Sequence, residues 1–146
     1  MKIRPDFVTN SSSSSFILGF KDEDSIKCIV DELSMLSEEE KEEVISNIEN
    51  NIISKEKAAE FFIENQWTSN WEFNGKRYWD LTKEEIHSKE YEKFIEDKKN
   101  ELKNDLMNKM GDKIISLVKY DDCVNSMMEH EVMPSLSCTI ERISHH

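Results

Sequence analysis

Histidine and carboxylate side chains are concentrated near the C-terminal end of this 146-residue chain. Three of its four histidines fall within residues 130–146. Imidazole and carboxylate groups are the usual protein ligands of zinc and of other divalent metal ions. The pattern therefore predicts a divalent-metal site, used either for binding or for a metal-dependent reaction. Its candidate ligands are Glu129, His130, His145 and His146.

The spacing of these histidines leaves a second interpretation open. No two of them are separated by three residues, the spacing that places two imidazoles on one face of a helix. His145 and His146 are adjacent, and adjacent side chains of a strand point to opposite faces of a sheet. The same residues are therefore also consistent with solvated side chains, or with the remainder of an expression tag.

Covalent catalysis and phosphate binding have little support in the sequence. The chain has three glycines, and they form neither a G-x-S-x-G elbow nor a glycine-rich phosphate loop. We therefore favour a protein that is not an enzyme, with metal-dependent activity as the alternative.

Five consecutive serines, residues 11–15, are the most unusual stretch of the chain. A serine run normally indicates a flexible linker. Here Phe7 and Val8 precede the run and a strand predicted over residues 15–20 follows it, so we expect residues 1–15 to form an ordered arm near the C-terminal strand. Turns in the arm would direct backbone N–H groups at an anion, although serine hydroxyls more often bond their own backbone. The candidate binding residues are Asp6, Asn10, Ser11, Ser12, Ser13, Ser14 and Ser15.

The same stretch carries a resemblance to other proteins. Asp6-Phe7-Val8-Thr9-Asn10, the five serines and Phe16-Ile17 resemble the opening of small Firmicutes and phage proteins that share an FVTNSSSSSF-type start. The likeness covers residues 1–17 and extends more loosely to Glu129-His130 and the ending Ile143-Ser144-His145-His146. It implies an origin in Firmicutes or in one of their phages. Because no activity is established for that group, it implies no catalytic residue.

Acidic side chains dominate the segment that follows. Residues 22–51 hold eleven acids against two lysines, a net charge of −9 within a total of −12. Apolar residues recur there at helical spacing, so residues 22–67 are predicted to form acidic helices with one solvated face. Four carboxylates on that face are the candidate contacts for a partner: Glu38, Glu39, Glu42 and Glu43.

This charge restricts the kinds of partner. Nucleic acid and anionic membranes are repelled by it, so we expect neither as a direct partner. A basic protein partner fits the charge, which makes a protein-interaction module the leading hypothesis. Plain solvation of the helix is the simpler alternative, and an acidic mimic of nucleic acid that inhibits a nucleic-acid-binding enzyme is another.

Hydropathy and cysteine usage predict a cytoplasmic protein. No apolar run is long enough to span a membrane, and serine occupies the place of a signal peptide's apolar core. Cys28, Cys123 and Cys138 are odd in number and contain no C-x-x-C pair. We expect reduced thiols that act as small buried apolar side chains.

Strand signals at both ends of the chain define the predicted fold. Residues 16–20, 114–120 and 136–143 are predicted to form a small sheet, with the run at 114–120 as its central strand because it is almost continuously apolar. A short helix is expected before Pro134. Together these elements predict a single α+β domain over residues 1–146, with a sheet of three or more strands covered by about four helices.

The middle of the chain is predicted to contain a hairpin and a long helix. Asn74-Gly75 favours a two-residue turn within a hairpin at residues 71–79. Its aromatic side chains are interpreted as a packed cluster, with stacking on nucleic-acid bases as the alternative. Helical spacing continues over residues 82–110, and a homodimer through this helix is an alternative to a foreign partner.

Overall fold

A computed structural model describes residues 13–121, 128 and 132–145, and it confirms the mixed α+β fold. The described residues divide into two compact units. The first contains residues 13–58 and 110–145, and the second contains residues 59–109.

The first unit contains the sheet and the acidic helices. In chain order its elements begin with β1, α1, α2 and β2, which are Ser13–Phe20, Glu23–Asp31, Glu38–Asn50 and Ile52–Ile53. A third helix, α3 (Lys55–Glu64), runs from this unit into the second one.

Beyond the second unit the chain supplies the remaining strands of the sheet. They are β3 (Ile114–Asp121) and β4 (Thr139–His145), with the helical turn Met133–Ser135 before β4. Pro134 stands in the first turn of that short helix, where a missing N–H group costs no hydrogen bond. The helix that the sequence predicts from residue 124 onward lies outside the described residues, apart from Met128.

Strand order within the described sheet is β2-β3-β1-β4, and every pairing is antiparallel. β1 is paired with β3 along its whole length and with β4 from Ser13 to Leu18. On its outer side β3 is paired only with the two residues of β2. Residues 114–120 thus belong to one of the two inner strands of the described sheet, as predicted, but β1 is the more central of the two because it is flanked on both sides along most of its length.

The three serines of the run that the structure describes belong to this central strand. β1 begins at Ser13, two residues before the start that the sequence predicts, and Ser14 and Ser15 are 0% and 2% exposed. Ser13 is paired with His145, so the described part of the run lies beside the C-terminal strand. Residues 13–15 are part of the sheet itself and not of an arm laid over it.

Alternation along β1 separates two buried faces. Phe16, Leu18 and Phe20 share the face on which α1 and α2 pack, and this face forms the main apolar core. Ile17 lies on the opposite face and is also fully buried. β1 therefore has the burial on both faces that the sequence led us to expect of residues 114–120.

A β-bulge interrupts the pairing of β1 with β4. The register shifts between Ile17 and Leu18, which leaves Ile140 as the extra residue of β4. The side chain of Ile140 lies against Gly19, where no larger residue fits, because a Cβ atom at position 19 would lie 2.7 Å from Ile140 Cδ1. Gly19 N–H also donates to the Cys138 carbonyl at 2.9 Å, across the same bulge.

Cys138 and Cys28 differ in environment, and only one matches the prediction. Cys138 is buried, as expected, whereas Cys28 is exposed. In α1 the buried residues Ile26 and Val30 are one turn apart, and Cys28 lies halfway between them in sequence and so on the other side of the helix. Cys123 lies outside the described residues.

The buried Cys138 thiol predicts a loss of stability in alkaline solution. Burial raises the pKa of this thiol from 9.0 to about 11. Because the thiol holds its proton more tightly in the folded state than in the unfolded state, it contributes to stability below pH 9. This contribution to the unfolding free energy is lost as the pH rises through 11. This difference in pKa corresponds to at most roughly 2–3 kcal/mol of unfolding free energy, and partial exposure of the thiol to solvent reduces that figure.

Urea denaturation at intervals from pH 8 to pH 11 measures this effect. We expect a Cys138→Ala variant to show a flatter decline than the unmodified chain. Cys28→Ala, which removes an exposed thiol, is the matched control. An identical decline in unmodified protein and Cys138→Ala would contradict the prediction.

The second unit contains short elements around a turn and most of the longest helix. Two helical segments, α4 (Lys83–Ile86) and α5 (Lys89–Met110), replace the single helix predicted over residues 82–110. The break occurs at Ser88, whose hydroxyl donates to the Glu85 carbonyl at 2.6 Å and accepts from the Tyr91 N–H at 3.2 Å. Ser88 thus caps a new helix, a role that its side chain favours.

The turn predicted at Asn74-Gly75 is confirmed, since both residues have positive φ angles, 53° and 78°. Its ladder is limited to one bridge between Phe73 and Lys76, and residues 78–80 form a 3-10 turn in place of a second strand. The hairpin is therefore shorter than residues 71–79.

Aromatic side chains of the second unit fall into a packed group and an exposed group. Phe73 packs against Tyr91 and Phe94, with each pair of ring centroids 5.3 Å apart. Trp67 and Trp79 are 62% and 60% exposed, so the prediction of one packed cluster was wrong for them. Residue type alone does not predict whether a tyrosine or tryptophan ring is packed or exposed, because both side chains have an apolar ring and a polar group that can remain in water.

The described helices include none that could cross a lipid bilayer, because none is both long enough and apolar enough.

Candidate functional site

Helix α2 is held in place at its N-terminus by a capping box. Ser37 N–H donates to Glu40 Oε1 at 2.9 Å, and Glu40 N–H donates to Ser37 Oγ at 3.2 Å. This reciprocal pair satisfies two backbone donors that a helix start leaves unbonded. The start of α2 is therefore fixed by its own sequence, and its first turn presents further carboxylates at the surface.

The four carboxylates that the sequence singled out all lie on exposed positions of α2. Glu38 forms an ion pair with Lys41, with Oε1 and Nζ 3.6 Å apart. Within the described part of the chain the other three, Glu39, Glu42 and Glu43, form no ion pair. We call these four residues the acidic face.

Beside the acidic face lies a groove between α2 and the end of β3, with a volume of ≈ 240 Å³. Residues of α2 line it at intervals of three and four, so that one stripe of the helix forms a wall. Glu43 belongs to both the acidic face and the groove. The lining residues are Leu36, Glu40, Glu43, Val44, Asn47, Tyr120 and Met128.

A short chain of hydrogen bonds fixes the polar end of this groove. Asn51 Nδ2 donates to Asn47 Oδ1 at 2.9 Å, and Asn47 Nδ2 donates to the Tyr120 hydroxyl at 2.9 Å. These bonds settle the orientation of the Asn47 amide, since its oxygen accepts and its nitrogen donates. The Tyr120 hydroxyl accepts from Asn47, which leaves it a second acceptor position and its own O–H.

Two further bonds attach the last turn of α2 to β3. Ser116 Oγ, fully buried, donates to the Ile48 carbonyl at 2.7 Å. Leu117 N–H donates to the Asn51 carbonyl at 3.1 Å. Together with the bond between Asn47 and Tyr120, they hold the two walls of the groove in a fixed relation.

Tyr120 remains protonated over the physiological range. Burial raises the pKa of its hydroxyl above the usual 10.0, and the hydrogen bond from Asn47 lowers it by less. At neutral pH the groove therefore contains a neutral hydroxyl beside the side chains of Glu40 and Glu43.

A wider cleft of ≈ 590 Å³ lies on the other side of α2, against α1. Four carboxylates line it, together with Lys27 and the exposed Cys28: Glu23, Asp24, Asp31 and Glu49. Both surfaces that flank α2 are thus acidic, as the net charge of residues 22–51 predicts.

The predicted metal ligands lie almost wholly beyond the described residues. This is true of Glu129, His130 and His146, while His145 is the last residue of β4 and is paired with Ser13. In the described ranges no group of three or more histidine, cysteine or acidic side chains is placed to hold a metal ion. The metal site therefore stays a prediction.

The predicted serine-rich binding segment is described only in part. Asp6, Asn10, Ser11 and Ser12 lie outside the described residues. The backbones of residues 13–15 are engaged in the sheet on both sides, and Ser14 Oγ accepts from Arg142 Nε at 3.1 Å. The described serines therefore serve the sheet, and their backbones form no turn that could surround an anion.

Sequence reasoning missed the groove because two of its seven described lining residues, Tyr120 and Met128, are distant from α2 in sequence. The stripe of α2 was open to recognition, since Glu40, Glu43, Val44 and Asn47 follow the spacing i, i+3, i+4 and i+7. Nothing in the sequence indicates that Tyr120, 73 positions after Asn47, lies opposite α2 and forms the other wall of the groove.

Comparison with known proteins adds no relative to these observations. No protein-family model matches the chain, and neither the curated proteins nor the solved structures gave a match.

Proposed function

We propose that this protein is a non-enzymatic interaction module that binds a basic protein partner through the acidic face of α2. The supporting observation is that Glu39, Glu42 and Glu43 are exposed along one helix and have no ion-pair partner among the described residues. Their negative potential is therefore available to an incoming cationic surface.

A charged face of this kind affects the rate and selectivity of partner binding more than the binding affinity itself. A patch of one sign accelerates encounter with an oppositely charged partner and rejects partners of like charge. Individual surface ion pairs contribute about 1 kcal/mol or less, so several carboxylates must act together to matter. The acidic face has four on about two turns of a helix that is fastened to the sheet.

Neutralising the acidic face provides the test. We expect a variant with Glu38, Glu39, Glu42 and Glu43 all changed to glutamine to lose partner capture by about tenfold, because the attraction depends on their combined charge. The readout is quantitative mass spectrometry of proteins captured from a lysate of the source cells, with the protein partner required to be basic. The loss should grow weaker as salt is added, since screening removes the same attraction.

A matched control separates charge position from total charge. Glu90, Glu92, Glu96 and Glu101 on α5 are exposed, and the first two lie in the first helical turn, as Glu38 and Glu39 do in α2. Changing these four to glutamine alters the net charge equally and should leave capture unchanged. Equal capture by both variants would contradict the proposal. If the captured protein is instead a nucleic-acid-binding enzyme that heparin displaces, the result favours the nucleic-acid mimic.

A further inference from the structure

The size of the groove between α2 and β3 limits what it can hold. Sites for drug-sized molecules have volumes of about 300–1,000 Å³. At ≈ 240 Å³ the groove is smaller than that range, and it opens directly beside the acidic face. Its dimensions suit a single long side chain from a partner bound to that face.

The lining of the groove indicates the chemistry of that side chain. Its apolar wall contains Leu36, Val44 and Met128, and among the described residues no lysine or arginine lines it. Its described polar groups include three acceptors of hydrogen bonds, namely the Glu40 and Glu43 carboxylates and the second acceptor position of the Tyr120 hydroxyl, beside the Asn47 amide that donates to Tyr120. An apolar stem with a cationic, donor-rich end matches both parts.

Guanidinium fits this arrangement better than ammonium does. It is planar, always charged, and presents five N–H donors in a rigid fork, so it can bond a carboxylate and a neighbouring hydroxyl at once. Glu43 and Asn47 are one helical turn apart on α2, and Asn47 donates to the Tyr120 hydroxyl, so Glu43 and Tyr120 line the same groove with only Asn47 between them in this chain of contacts.

Hydrogen bonds hold the α2 wall and the Tyr120 hydroxyl of the groove in place before anything binds. The bonds from Asn51 to Asn47 and from Asn47 to Tyr120 fix the hydroxyl, and Ser116 fixes the end of α2 against β3. A preformed site loses less entropy on binding than one that must be ordered by its ligand.

We infer that this groove binds an arginine side chain of the basic partner, with the guanidinium group on Glu43 and Tyr120 and the methylene stem along Leu36, Val44 and Met128. The inference rests on the proposed function, because the partner reaches the groove through the acidic face. It adds the residue type that the partner must present and the two residues that recognise it.

Titration of the full chain with three small probes tests the inference by NMR. The probes are N-acetyl-argininamide, N-acetyl-lysinamide and the neutral isostere N-acetyl-citrullinamide. We expect the arginine probe to shift the side-chain amide resonances of Asn47 in a saturable way, and the citrulline probe to leave them in place. A response to lysine as strong as that to arginine would overturn the assignment of arginine.

Three variants then locate the binding groups. Tyr120→Phe removes one hydroxyl and should weaken the arginine probe by about threefold to tenfold, and Glu43→Gln should weaken it by about tenfold. Glu39→Gln makes the same change of charge on the acidic face outside the groove and should change the affinity by less than about twofold. Because Glu43 is exposed, its variant keeps the test valid even if Tyr120→Phe lowers stability.

Failure of this inference is distinguishable from failure of the proposed function. If capture of a basic partner requires the acidic face but Glu43→Gln and Glu39→Gln weaken the arginine probe equally, the groove assignment is overturned and the proposed function stands. If the arginine probe binds with the expected pattern while capture is unaffected by the acidic face, the proposed function fails instead.

Discussion

Replacement of Ser15 by proline is expected to destabilise the protein by about 3 kcal/mol or more, or to prevent folding altogether. Ser15 is 2% exposed and is paired with Lys119 in β3 and Ile143 in β4. Proline lacks the N–H donor and is tolerated in sheets only at edges, starts and bulges, so it leaves a buried ladder bond unmade. Urea denaturation followed by circular dichroism measures the loss.

Threonine at the same position is the matched control. Ser15→Thr keeps the N–H and the hydroxyl and adds a β-branched carbon that suits a strand, so we expect a change within about 1 kcal/mol. A serine run acting as a linker would accept proline as readily as threonine. Equal urea midpoints for the two variants would therefore show that Ser15 is not part of the central strand.

A second large effect is expected from Phe16→Ala, at about 3–5 kcal/mol of unfolding free energy. Phe16 is fully buried in the main core, opposite Val118 of β3. The Arg142 guanidinium lies over its ring, with Cζ 5.8 Å from the centroid. Alanine removes the ring from both contacts and leaves a cavity between the sheet and its helices.

Trp79→Ala removes a larger ring from the surface and is the natural comparison. Trp79 is 60% exposed, and its described polar contact is Arg77 at 5.6 Å from the ring centroid. We expect a change of about 0.5 kcal/mol, as is usual for surface substitutions. Thermal unfolding of both variants decides the matter. A Trp79→Ala variant as unstable as Phe16→Ala would mean that the exposed aromatic group is part of a core.

Local sequence patterns predicted the mixed fold and several of its strands and helices. Most features that they did not predict depend on which strands pair with each other. The apolar runs at residues 16–20 and 114–120 marked two strands, and Ser37 with Glu40 marked the start of α2. Which strand lies at the centre depends on neighbours far away in sequence, which no local pattern contains. The two residues of β2 form a strand only because β3 lies beside them.

The serines and the groove show two further limits of sequence reasoning. Serine is a residue type usually found at the surface. Ser14 is nevertheless buried, because the sheet pairs its backbone and Arg142 donates to its hydroxyl. The wall of the groove that α2 forms was predictable from helical spacing, whereas the wall that contains Tyr120 required knowledge of the fold.

The pairing of β1 also has a consequence for how the chain reaches its native state. Phe16 meets Val118, and Ser13 meets His145, so the strand at the centre of the sheet is synthesised long before either neighbour. Contacts so distant in sequence close slowly, and an unpaired apolar strand is prone to aggregate meanwhile. The serines at residues 13–15 lower the hydrophobicity of this strand. We therefore expect them to reduce self-association of the nascent chain until the partner strands are synthesised.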